Sequence, residues 1–198
     1  MSKDPLRNRT IALVGLMGAG KTSVGKRLAS ALNLPFRDAD EEIEKAAGRS
    51  ISDIFGDYGE DYFRDGERRV IARLLDEAPH VLATGGGAFM NAETRALIKA
   101  KATSVWLKAD LDTLARRVAR KDTRPLLKGR EPHAVLTDLA AVRYPVYAQA
   151  DIIIESGDSP HHATVDAVIK ALKARAEAHS CAAVAGVAPP PGDEGDQT

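Results

Sequence analysis

Residues Gly15 to Thr22 read GLMGAGKT and follow directly on the apolar run Ile11-Ala-Leu-Val14. The spacing is G-x-x-x-x-G-K-[ST], and no other stretch restricts the fold as much. A loop whose N–H groups converge on a polyphosphate needs a strand to enter from and a helix to leave by. Ile11 to Val14 supplies a short buried strand, and Thr22 to Leu32 carries Val24, Leu28 and Leu32 at helical spacing. Gly15 to Thr22 are therefore the candidate phosphate loop. The glycines let the backbone turn inward, and the helix start adds its positive dipole end. Lys21 can reach the terminal phosphates, and the Thr22 hydroxyl can ligate Mg²⁺. The expected ligand is a nucleoside triphosphate, with ATP the first choice.

Downstream, strands and helices alternate. Short strands are expected at Leu34–Asp38, Val81–Thr84, Thr103–Leu107 and Asp151–Glu155. Helices are expected at Asp40–Ala47, closed by Gly48, and at Glu60–Glu77, where Gly66 weakens the pattern. Ser50 reads as a helix N-cap with Asp53 in the first turn. Asn91 caps a helix through Lys101, and further helices span Asp110–Arg120, Ala134–Arg143 and Pro160–Ala178. Pro145 should bend or interrupt the chain beyond Arg143. Five strands alternating with helices imply an α/β fold with a parallel sheet and helices on both faces. Ligands of such sheets bind at the carboxyl ends of the strands. Gly15 to Gly20, Asp38, Asp40 and Gly85 to Gly87 all follow strands, so they can converge.

The strand Val81–Thr84 ends in Gly85-Gly86-Gly87 and offers no acid for a metal shell. Asp38 and Asp40 are the substitutes. Their i, i+2 spacing puts both on one side if the strand continues, one facing the metal shell and the other an acceptor hydroxyl. In the plainer alternative Asp38 caps a helix.

Lys plus Arg equals Asp plus Glu at 28 each, so net charge recommends neither nucleic acid nor membrane as partner. Met1 to Thr10 lacks the apolar core of a signal peptide, and the longest uncharged run, Ile11 to Gly20, is too short for a bilayer. The single cysteine, Cys181, excludes an intrachain disulfide, and a cytoplasmic setting is expected. The histidines lack metal-ligand spacing, and His161-His162 read as ordinary helix-start residues. Residues 1–178 are expected to form one domain. Residues 121–133 read as a mobile, basic loop, and 179–198 as a disordered tail rich in Ala, Gly, Pro and acid.

Taken together, GLMGAGKTS, Asp38-Ala-Asp40, Phe63-Arg64, Gly85-Gly86-Gly87, Arg124-Pro-Leu-Leu127 and Arg143-Tyr-Pro-Val-Tyr147 resemble the shikimate kinases. These are small P-loop kinases related in fold to the nucleoside monophosphate kinases, and the resemblance runs from about Ile11 to Leu172. It implies strand order 2-3-1-4-5, a monomer, ATP with Mg²⁺ bound by Gly18, Ala19, Gly20, Lys21, Thr22 and Ser23, and shikimate as substrate, bound by a region at about 38–66. By the same resemblance Asp40 bonds the shikimate hydroxyls and accepts the 3-hydroxyl proton, while Asp38 supports the metal through water. Arg64 and Arg143 clamp the carboxylate beside Gly85, Gly86 and Gly87, with Gly86 touching substrate through its backbone. Arg124 closes over the phosphates from the lid, Arg117 lies against the adenine, and Lys21, Asp40 and Arg124 are the catalytic set.

Elementary chemistry agrees. A small carboxylate suits planar, bidentate guanidinium groups, and phosphoryl transfer needs charge neutralisation and positioning above all. Without the resemblance, Arg64 among Asp61, Asp65, Glu67 and Arg68 reads as one charge on a solvated face. Arg143 beside Tyr144 reads as surface packing, and Trp106 as core. The adenine side near residues 156–160 carries no distinctive residue. The rivals are a kinase for gluconate or a nucleoside monophosphate, a silent nucleotide-binding protein, and an NTPase docking through its tail. The presence of Lys21, Thr22 and Asp40 speaks against silence.

Overall fold

In the computed structural model, which describes residues 5–119, 131–157 and 160–185, the entering strand is β1, Thr10–Val14, buried along its whole length. It pairs in parallel with β3, Val81–Ala83, on one side and with β4, Ala102–Lys108, on the other. The strands β2, Phe36–Asp38, and β5, Ile152–Glu155, close the two edges. The order β2-β3-β1-β4-β5 is the one the resemblance implied. A central parallel strand is covered on both faces, so β1 is buried throughout and apolar from Ile11 on, whereas edge strand β5 alternates buried and exposed positions.

Seven helices are described: α1, Lys21–Leu32; α2, Ala39–Ala47; α3, Ile51–Leu75; α4, Ala92–Lys101; α5, Leu111–Ala119; α6, Pro132–Tyr147; and α7, His161–Ala185. Helix α1 packs against α7, α2 against α3, and α5 against α6. Ser50 and Asn91 cap α3 and α4 by accepting from the N–H groups of Asp53 and Thr94, each worth about 1 kcal/mol. Trp106 is core, as read, and packs edge-on against Tyr144 at 5.1 Å.

Several expectations shift. The second strand ends at Asp38 and α2 begins at once, so Asp38 and Asp40 are not two residues of one strand. The reason is local: the Asp38 carboxylate accepts from the Asp40 N–H at 3.1 Å, and Ala39 is fully buried at the junction. The Ser50 cap and the helix expected from Glu60 hold, as the two helical parts of α3, which meet at Gly59 with φ 81° and ψ 178°. Gly66 does not interrupt it. Helix α6 runs through Pro145 to Tyr147, because the ring falls in the last turn, where one lost bond is tolerated. Helix α7 reaches Ala185, past the Ala178 where the sequence pattern ended it. Arg124, most of the 121–133 lid and the tail from 186 onward lie outside the described residues. Glu131 to His133 start α6, with the Glu131 carboxylate accepting from the His133 and Ala134 N–H groups.

Candidate active site

Gly15, Gly18 and Gly20 hold positive φ values of 141°, 82° and 88°. At Gly15 the need is also steric, since a side chain would begin 2.6 Å from the Leu107 carbonyl. The loop is thereby pressed onto the end of β4. Helix α1 starts at Lys21 with no side-chain cap, which leaves its first N–H groups for an anion. Lys21 Nζ donates to the carbonyls of Gly15 at 2.8 Å and Leu16 at 3.0 Å. Thr22 Oγ1 donates to Asp38 Oδ2 at 2.8 Å. Asp38 therefore does two things at once: one oxygen caps α2 and the other holds Thr22. The helix cap, the plainer of the two alternatives, is present, and the second oxygen meets the hydroxyl expected to ligate the metal.

The hydroxyl and carboxylate of Thr22 and Asp38 are hard oxygen donors. No cluster of three His, Cys, Asp or Glu that could cage a metal occurs among the described residues. That sparse set fits Mg²⁺, which keeps its waters and borrows phosphate oxygens, and it does not fit a metal caged by protein alone.

The loop opens into a cleft of about 450 Å³ that reaches from Asp40 and Gly86 to Arg117 and His161. A second cleft, of about 650 Å³, lies on the other side of the same wall. The two share Thr22, Asp38, Asp40 and Gly86. Arg64, Glu67, Arg143, Gly85 and Gly87 line the second cleft. Arg64 is half-buried and donates to Glu67 at 2.7 Å and to Glu60 at 2.9 Å, so it is not a charge on a solvated face. Arg143 is only 9% exposed and donates to the Gly86 carbonyl at 3.0 Å, which overturns its reading as surface packing.

Glu67 is the residue sequence reasoning missed. It is 2% exposed, and Oε1 has no hydrogen-bond partner among the described residues. Burial pushes its carboxyl above the usual glutamate range against the pull of Arg64, and nearby Asp40 adds to the rise. Burial works against the Arg64 charge as well, but Glu67 and Glu60 outweigh it and hold the guanidinium firmly protonated. Gly85 makes room for this cluster: a Cβ there would sit 2.3 Å from Glu67 Oε1 and 3.1 Å from Asp40 Oδ1.

At the far end of the first cleft, Arg117 donates to the carbonyls of Gly18 at 3.3 Å and Gly157 at 2.9 Å. It ties the phosphate loop to the segment before α7. His161, read as an ordinary helix start, lines this end too, with Cε1 3.7 Å from where a Gly20 side chain would begin. Burial pushes its imidazole below the usual range, and Arg27 and Arg117 add to the effect. Its signal in the sequence was position alone, the first residue of a helix following a strand.

Comparison with known proteins gives a consistent result. The family model for shikimate kinase matches residues 17–173. A shikimate kinase of Caulobacter vibrioides (strain NA1000 / CB15N) is 69% identical over 169 residues, 85% of this chain and 84% of that protein. One of Bradyrhizobium diazoefficiens is 55% identical over 185 residues, 93% of this chain and 86% of that protein. Among solved structures, a shikimate kinase from Acinetobacter baumannii in complex with shikimate gives a TM-score of 0.82 at 36% identity, covering 84% of this chain and 94% of that one.

Proposed function

The chain belongs to the shikimate kinase family, and on that premise we propose how its residues divide the reaction. The γ-phosphoryl group of ATP passes to the 3-hydroxyl of shikimate, giving ADP and shikimate 3-phosphate. The observation that carries the assignment is the wall common to the two clefts, made of Thr22, Asp38, Asp40 and Gly86. A phosphate donor on one side and a hydroxylated carboxylate on the other would meet there, held in line rather than helped covalently.

Asp40 faces both clefts and takes the 3-hydroxyl proton as that oxygen bonds phosphorus and the bond to the ADP oxygen breaks. Lys21 neutralises the transferring group, moving from the Gly15 and Leu16 carbonyls where it rests. Gly18 to Ser23 wrap the polyphosphate. Thr22 would hold Mg²⁺ directly and Asp38 through water, and the bound ion would supply charge withdrawal from the phosphate oxygens. Arg64 and Arg143 grip the substrate carboxylate beside the N–H groups of Gly86 and Gly87, and Gly85 leaves room for the pair Asp40 and Glu67. Arg117 stands at the adenine end. Arg124 is assigned the closing charge on the family resemblance. A cytoplasmic monomer without nucleic-acid or membrane partners fits the zero net charge, and no described helix is long and apolar enough to cross a membrane.

The test is Mg²⁺-dependent ADP release from ATP, with shikimate, with gluconate and with neither. A steep rise with shikimate alone is expected. No response to shikimate, in protein that binds ATP, overturns the assignment.

A further inference from the structure

Tyr147 has no part in the reaction as assigned, yet it touches the acceptor cleft from behind. It is the last residue of α6 and is fully buried. Its ring sits among those of Trp106 at 5.8 Å, Phe89 at 6.4 Å and Tyr144 at 6.5 Å. Aromatic packing alone would be served by phenylalanine. The hydroxyl, however, donates to the Gly86 carbonyl. Burial pushes the phenol further up, so the proton needed for that bond stays in place.

Arg143 lies one helical turn earlier on the same face and donates to the same carbonyl at 3.0 Å. A carbonyl oxygen has two lone pairs, and here α6 takes both. The arrangement matters because Gly85, Gly86 and Gly87 have no side chains with which to fix their own turn. In a planar trans peptide the carbonyl of one residue and the N–H of the next point in opposite directions. Holding the Gly86 oxygen against α6 therefore turns the Gly87 N–H away from α6. Among the described residues, the N–H groups of Gly86 and Gly87 bond no backbone carbonyl, and both glycines line the acceptor cleft.

We propose that Tyr147 is a positioning residue for the substrate carboxylate: by holding the Gly86 carbonyl together with Arg143, it aims the Gly87 N–H at that anion. The inference rests on reading Arg64 and Arg143 as the carboxylate clamp. It gives the aromatic cluster behind the cleft a role in substrate recognition and not in packing alone.

Tyr147→Phe keeps the ring and removes the hydroxyl. The expected result is a roughly three- to tenfold rise in KM for shikimate, the size of one lost hydrogen bond, with KM for ATP unchanged within about twofold. The same variant is then titrated with an analogue carrying a hydroxymethyl group in place of the carboxylate, as a competitor of shikimate. The loss of affinity should nearly vanish, because no anion remains to be held. Equal losses for shikimate and analogue, parallel rises in both KM values, or an unchanged shikimate KM would overturn the proposal. A second measurement needs no variant. The Gly87 amide proton should move strongly downfield when shikimate is added to the native protein, and a stationary resonance would count against the idea. Arg143→Ala separates the two levels of failure. If it leaves shikimate KM untouched, the clamp is wrong, whereas if it raises KM and Tyr147→Phe does not, only the role of Tyr147 is lost.

Discussion

Asp40 stands where the two clefts meet, so its loss should separate chemistry from binding. Asp40→Asn keeps the shape and removes the proton acceptor. Turnover should fall by roughly 10²–10⁴-fold, the range for a general base, while calorimetry finds ATP affinity nearly intact. A matching loss of ATP affinity would move Asp40 to the metal shell. Glu67 gives a prediction in pH. Its folded carboxyl lies above the usual value, so between the unfolded and folded values the native state holds more protons than the unfolded chain. Stability from this group is therefore lost as pH rises through that window. Glu67→Gln has no such slope, so its stability relative to the native protein should climb in urea unfolding as pH rises above the ordinary glutamate range; a flat difference would mean that Arg64 fully compensates the buried charge. The two residues also mark how far a chain can be read without a structure. Asp38, Asp40 and the lysine of the loop follow strands, where chemistry is expected. Glu67 is one acid in a row of charges, and only the fold shows it buried opposite Gly85.

Among the elements, α3 comes in two parts. Its first part brings Ile51 and Phe55 to the acceptor cleft, its second brings Phe63, Arg64 and Glu67, and Gly59 joins them. At φ 81° and ψ 178° that joint is open to glycine and hardly to anything else. Gly59→Ala should cost about 1–3 kcal/mol of stability and raise KM for shikimate more than KM for ATP, as thermal melts and steady-state kinetics would show. Unchanged kinetics in a destabilised variant would mean that the two parts keep their places without the joint. The sequence pattern started a helix at Glu60, just past this joint, so the break was legible, whereas Gly66, the glycine marked as doubtful, lies inside the second part without interrupting it. The boundary at Asp38 was hidden, because a carboxylate that caps a helix and one that ends a strand look alike until a backbone partner is seen.

At the scale of the molecule, alternating strands and helices were enough for an α/β class. The strand order came from the resemblance, since periodicity says nothing about which strands are neighbours. Among the described residues, none beyond His161 lines either cleft, and the family match ends at residue 173. Removing residues 186–198 should therefore leave kcat/KM for both substrates within about twofold; a large loss would revive the idea of a docking tail. One feature of the interior reaches both halves of the reaction. Trp106 is the chain's only tryptophan. Its ring edge lies 3.5 Å from the point where a Gly15 side chain would begin, and Tyr144 and Tyr147 of α6 pack against it. The indole N–H has no partner among the described residues, so its emission depends on the surrounding dipoles alone. The protein thus carries one indole between the phosphate loop and α6, so that a tightening of the loop or a turn of α6 should be read out as a change of colour or brightness, without any label.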